Sequence, residues 1–410
     1  MSEKESIQES RQLAACSIQW KTKKIIAATY YLPYTNKAGF SLVELMITMV
    51  VFLLAIAAAS NVFTGLLTQF KQQSKIAETN IEGMVGLEIL RRDLESAGYG
   101  VPWNVEIDGD GDGNDWEQIV GYCEAVSNAT ITPNPITFNN GSSDAVCPAA
   151  ITGGSAPMAV RTGDNTGLNG ADYLSIKSTT VALNNTVRRW TWLRSDGTKD
   201  DDLSGESFVA NDRIIVISPG STASNSRSLI INAGAFSNTY NNTGGYVPTE
   251  ASEIHLVYGI DDSTNLRMPF NRTDYYIRVP AALPAQCAPN TGVLYKGTVN
   301  HANGAITELP ILDCVADMQV VFYLDTDGDG TNETVLNSLA GYTAKNIRDW
   351  VKEIRVYILA HEGQRDASYT YPSATIHVGP AGFGRDFNLG ANLNYRWKVY
   401  TLVVRPNNLV

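Results

Sequence analysis

The longest uniform pattern in the chain is a stretch with no polar face. From Leu45 to Leu67 the sequence reads LMITMVVFLLAIAAASNVFTGLL, 23 residues without a formal charge. At ~1.5 Å per residue a helix of that length extends ~35 Å, against a bilayer core of ~30 Å. Buried helices of soluble proteins seldom stay apolar around their whole circumference for so long, so the pattern predicts a membrane span over about residues 42–67. After Thr68 the period changes. Ile76, Met84, Leu87, Leu90, Leu94 and Ala97 recur near helical spacing, with Lys71, Lys75, Glu78, Arg91 and Asp93 between them. This predicts one continuing helix over 40–97, with the first set buried and the second facing solvent. Gly98-Tyr99-Gly100-Val101-Pro102 then supplies stop chemistry.

Beyond Pro102 the pattern becomes short apolar alternations between Asn, Gly, Thr and Ser turns. Strands are predicted at 173–177, 189–193, 213–218, 228–232, 253–258, 275–279, 292–299, 318–324, 353–359 and 398–405. A short helix is predicted near Ala344–Asp349. Runs of this kind indicate an antiparallel β domain over 98–410, and with the long helix the fold class is α+β. Residues 120–250 are rich in polar loops and read as an insertion or a subdomain.

Composition adds two constraints. With 44% hydrophobic and 18% charged residues the chain is globular, and its net charge of −11 repels phosphate backbones, so no nucleic-acid partner is expected. Lys21, Lys23, Lys24 and Lys37 precede the apolar run. The positive-inside rule therefore places the N-terminus in the cytoplasm and the β domain outside.

The head of the apolar run departs from an ordinary secretory signal, in which the small-residue cut site follows the apolar stretch. Here it precedes it, in Lys37-Ala38-Gly39-Phe40-Ser41-Leu42-Val43-Glu44-Leu45. Glu44 lies inside the apolar segment, where a lone carboxylate costs roughly 2.5–3.5 kcal/mol. It either snorkels to the interface or has a partner.

This nine-residue segment resembles the class III signal of type IV prepilins. The resemblance implies that prepilin peptidase removes residues 1–39 as a cytoplasmic leader, cutting after Gly39, and that the new N-terminal residue, Phe40, is methylated. It also implies that Glu44 docks subunits by pairing with the N-terminal amine of its own or a neighbouring chain. Leu90-Arg91-Arg92-Asp93-Leu94-Glu95-Ser96-Ala97-Gly98-Tyr99 is similar to the end of the long helix in PilW-like minor pilins and, more distantly, in J-type pseudopilins of type II secretion. The order of Leu312–Val320, Val351–Leu359 and Tyr395–Tyr400 is similar to PilW-like proteins too.

The function implied is that of a minor pilin in the priming or tip complex of a type IV pilus. The large domain favours that reading, since major pilins are usually much smaller. A J-type pseudopilin and an adhesive or DNA-uptake pilin are the alternatives. The implied partners are prepilin peptidase, other minor pilins, the major pilin, inner-membrane lipid and a tip adhesin. The implied location is a single-pass inner-membrane protein with a periplasmic domain, later part of a surface pilus.

Of five cysteines, Cys16 lies in the leader, which leaves Cys123, Cys147, Cys287 and Cys314. An even number in an exported domain favours two disulfides. Pairing Cys123 with Cys147 and Cys287 with Cys314 closes two short, turn-rich loops. Two Asp-Gly runs resemble calcium loops, one holding Asp108, Asp110 and Asp112, the other Asp325, Asp327, Asp329 and Glu333. Alternate carboxylates with a Gly after the third can fold around a hard cation. The competing reading is a pair of surface hairpin turns, since position twelve is Ile119 or Leu336 rather than Glu. No catalytic motif accompanies the four histidines, and no enzyme is expected. No cofactor other than Ca2+ is implied.

Overall fold

The computed structural model describes residues 39–105, 156–200, 203, 205–220 and 227–409. The expected leader up to residue 38, the loop holding Asp108, Asp110 and Asp112, and Cys123 and Cys147 lie outside the described residues. The chain divides into two compact units, Met1–Gly65 and Leu66–Val410. One helix, α1 (Leu42–Glu95, 54 residues), carries residues of both, as the sequence predicts.

In the first unit every described residue, 39–65, is exposed. The apolar side chains among these described residues are not buried, and α1 is long and apolar enough to cross a membrane.

The second unit is β-rich. Its strands are β1 (Asn104–Val105), β2 (Val160–Gly163), β3 (Tyr173–Ser178), β4 (Trp190–Arg194), β5 (Arg213–Ser218), β6 (Ser228–Leu229), β7 (Asn238–Thr239) and β8 (Ile254–Asp261). They continue with β9 (Asn271–Arg278), β10 (Gly292–Val299), β11 (Ile306–Leu324), β12 (Thr334–Leu336), β13 (Val351–Glu362), β14 (Thr375–Val378), β15 (Arg385–Asn388) and β16 (Arg396–Val404). An eight-stranded sheet runs β16-β13-β11-β10-β9-β3-β2 with β12 beside β11. A six-stranded sheet runs β1-β6-β5-β8-β4 with β7 beside β5, and β14 and β15 form a separate hairpin. All pairs described are antiparallel except β1 with β6.

The eight-stranded sheet has apolar layers on both faces, which the alternation along β13 makes plain. Ile354, Val356, Ile358 and Ala360 join the core that contains Leu87, Leu90, Leu94 and Ala97 of the helix region. Tyr357 and Leu359 point the other way, to Trp397, Tyr395 and the β14–β15 hairpin. The nineteen-residue β11 links the layers, pairing first with β10 and then with β13. A short helix, α2 (Ala344–Trp350), starts at Thr343 in a reciprocal capping box with Asn346 and buries Ile347 in the same core.

Two expectations about the amphipathic stripe are corrected. Met84 is 70% exposed rather than buried, and Asp93 is 7% exposed rather than facing water. The helix is rotated so that Gly83, Gly86, Leu87, Leu90, Asp93 and Leu94 face the sheet. A Cβ on Gly86 would stand 1.9 Å from the Ile311 carbonyl oxygen, so glycine is what permits this approach.

Cys287 and Cys314 are bonded, closing a sequence separation of 27, worth ~3.5 kcal/mol in the chain-entropy account.

Candidate functional site

The chemistry of the helix head is local. The Ser41 N–H donates to Glu44 Oε2 at 2.9 Å and the Glu44 N–H donates to Ser41 Oγ at 3.2 Å. This is a capping box, in which two donors otherwise orphaned at a helix start are satisfied reciprocally. Sequence reasoning missed Ser41, although Ser-x-x-Glu before an apolar run is its signature. Phe40 is 86% exposed, and a Cβ on Gly39 would meet nothing within 4 Å. Nothing within the described chain therefore demands glycine at 39; any such demand comes from another molecule.

The other end of α1 is fixed by a buried carboxylate. Asp93 Oδ2 lies 2.5 Å from Lys296 Nζ and accepts a hydrogen bond from the Tyr275 hydroxyl at 2.5 Å. Lys296 and Tyr275 are directly opposite residues on β10 and β9, so one carboxylate joins the helix to a cross-strand pair. Burial, with Asp93 beside it, pushes the Tyr275 phenol well above its usual range and keeps it a donor. Leu90 and Leu94, fully buried on either side of Asp93, each contribute roughly 1.5–3 kcal/mol through removal from water. The polar contacts fix register and the leucines supply most of the attraction.

The acidic run at 325–333 is the turn between β11 and β12, where Leu324 pairs with Thr334. Ligand atoms of Asp325, Asp327, Asp329 and Glu333 all lie within 4.8 Å of one another. Gly328 and Gly330 adopt φ of +79° and +88°, which folds the loop back on itself. The Gly328 and Gly330 N–H groups donate to the two oxygens of Asp325 at 2.6 and 3.0 Å, and the Thr326 N–H donates to Glu333 Oε1 at 2.5 Å. Glu333 thus closes the loop from position nine, where an EF-hand uses position twelve. The four carboxylates could hold a hard cation, which takes oxygen ligands.

The three buried histidines have structural surroundings. The His255 Nδ1 is 2.7 Å from the Tyr246 carbonyl oxygen. His301 accepts from the Arg267 N–H at 3.1 Å, and His361 accepts from the Ala288 N–H at 2.8 Å. Burial pushes His301 and His361 down to about 4.

Two family comparisons bear on these features. The family described as the prokaryotic N-terminal methylation motif matches residues 34–60, which contain Gly39, Phe40, Ser41 and Glu44. The family described as type IV pilus-assembly protein W matches residues 274–408, from Asp274 in β9 past the end of β16. No curated protein and no solved structure matches the chain.

Proposed function

Starting from a PilW-like, type IV pilus-related pilin, structural rather than enzymatic in family character, we propose that the chain is a minor pilin of the priming or tip complex. In this reading prepilin peptidase cuts after Gly39 in an inner-membrane precursor whose β domain is periplasmic. The freed Phe40 amine and Glu44 then dock subunits. Glu44 carries the proposal: its carboxylate heads a helix whose first 24 residues, Leu42–Gly65, are all exposed, and among the described residues its hydrogen bond is to its own cap. An exchange of that cap for an amine would couple docking to cleavage.

The test is complementation of a null strain. Glu44→Ala should be processed to mature size yet fail to restore pili, and full piliation would remove the docking role. Gly39→Val should leave uncut precursor on an immunoblot; mature-sized protein would refute the cleavage site.

A second proposal concerns the acidic turn, which we assign to Ca2+ through Asp325, Asp327, Asp329 and Glu333. Its support is their mutual distance and their all-oxygen chemistry. Calcium should raise the melting temperature of the detergent-solubilised protein, and Asp327→Ala should abolish that rise. A melting temperature that calcium does not move would end the assignment.

A further inference from the structure

A small polar cavity lies where strands of the two sheets meet. The end of β8, the start of β9, the β10–β11 hairpin and the loop after β3 enclose about 120 Å³. Its walls are held in place by hydrogen bonds of their own. Asn271 donates to the Thr179 and Ile260 carbonyl oxygens at 2.8 and 3.1 Å. His301 accepts the Arg267 N–H on Nδ1 and so carries its proton on Nε2, which donates to Asn271 Oδ1 at 2.9 Å. Asp261 Oδ1 accepts from the Ser263 N–H, the Thr264 N–H and the Thr264 hydroxyl at 3.0, 2.9 and 2.7 Å. Other groups in the lining have capacity to spare. Asp261 Oδ2 has no hydrogen bond among the described residues. The Thr298 hydroxyl is buried and has no partner among them either, a costly state for a polar group. At the mouth, the Asn300 amide donates to the Thr307 hydroxyl at 2.9 Å, where solvent reaches both.

We propose that this cavity takes one ring of a neutral sugar, its hydroxyls shared among Asp261, Thr298 and Asn300 and its C–H edge against Leu183. The inference stands apart from the pilus reading and does not depend on it.

Charge, hydrogen bonding and size select that guest. No Lys or Arg is among the described lining residues, and His301 with an accepting Nδ1 is neutral. A phosphate or carboxylate would therefore face Asp261 without a counterion. A hard cation seeks about six or more oxygen ligands and would find a single carboxylate. A sugar hydroxyl both donates and accepts, which suits a free carboxylate oxygen, a hydroxyl and an amide together. An engineered cavity of ~150 Å³ holds benzene, so this one suits a six-membered ring whose substituents reach out through the mouth. Leu183, 58% exposed, gives the lining the apolar patch that a ring's C–H edge needs.

Saturation-transfer NMR on the full-length protein, in a detergent without a sugar headgroup, tests this with D-glucose, D-galactose and N-acetyl-D-glucosamine as probes. At least one should give a saturable response. Thr298→Val removes the unpartnered hydroxyl with little change of shape and should weaken that binding about tenfold. Asn300→Ala should weaken it too. A melting temperature that is unchanged or higher verifies that each variant is folded. A response confined to N-acetyl-D-glucosamine assigns the site to an amino-sugar polymer, and one confined to the hexoses to a glycan without amino sugars; either upholds the proposal. No saturable response from any of the three leaves water as the occupant and overturns it. Binding that survives both substitutions overturns it as well, and so does displacement of the sugar by inorganic phosphate.

Discussion

The two halves of α1 differ in almost everything except being helical. From Leu42 to Gly65 each side chain is exposed, and the hydrogen bonds of Glu44, Thr48 and Thr64 described there reach residues three or four positions away in sequence. From Gly83 to Leu94 the helix has a floor: two glycines against β11, two leucines in the core and an aspartate tied to two strands. The first half has a surface that only a different medium can satisfy, whether lipid or other helices. The second half has one face satisfied by its own chain, although Ile81, Met84 and Val85 on the other face stay exposed. Helical pattern alone does not separate the two; the identity of the neighbours does.

The largest effect should come from cutting the polar tie. Asp93→Ala leaves the Lys296 ammonium buried without its counterion and should cost ~3–5 kcal/mol, measured as thermal unfolding of the detergent-solubilised chain. Replacing both partners, Asp93→Leu with Lys296→Met, should recover most of that loss. Next, Leu90→Ala should cost ~2–5 kcal/mol, while Leu54→Ala, in the exposed half, should leave the unfolding of the β domain unmoved. Equal losses at both positions would erase the contrast between the halves. The glycines offer a smaller version of the same comparison. Gly86→Ala meets backbone and should cost ~1–3 kcal/mol, whereas a Cβ on Gly65 meets nothing within 4 Å and should be tolerated.

The smallest effect is one of pH, and it belongs to the β domain alone. His301 and His361 are held near 4 by burial, below the ordinary ~6.5. Below 6.5 the unfolded chain binds protons that the folded chain refuses, so stability is complete above that value and falls as pH drops towards 4. Between pH 7.5 and 5.5 each histidine should cost about 1 kcal/mol, seen as a falling melting temperature. His361→Gln should flatten that fall.

Much of this was legible in the sequence because the signals were local. An uncharged run, a Gly-Phe junction with an acid five places on, a Gly-rich stop and β-branched alternations gave the long helix, the strands at 213–218 and 292–299, and α2. The Cys287–Cys314 pairing followed from loop length. The misses share a cause, which is that partners distant in sequence decided them. Asp93 read as a solvent-facing charge because a periodic pattern counts polarity and not the lysine more than two hundred residues on. Met84 read as core because the stripe could not register the rotation set by Gly83 and Gly86. The first part of β11 was overlooked because Pro310 and Asp313 interrupt the alternation, and the β14–β15 hairpin because its strands are four residues long.

The carboxylate of Asp93 also has a mechanical meaning. It grips β9 and β10 at an opposed pair of residues, and those strands lie in the interior of the eight-stranded sheet, flanked by β3 and β11. A pull along α1 would therefore load two hydrogen-bonded neighbours at once, in the part of the sheet braced from both sides, and no single strand would carry the tension to its edge.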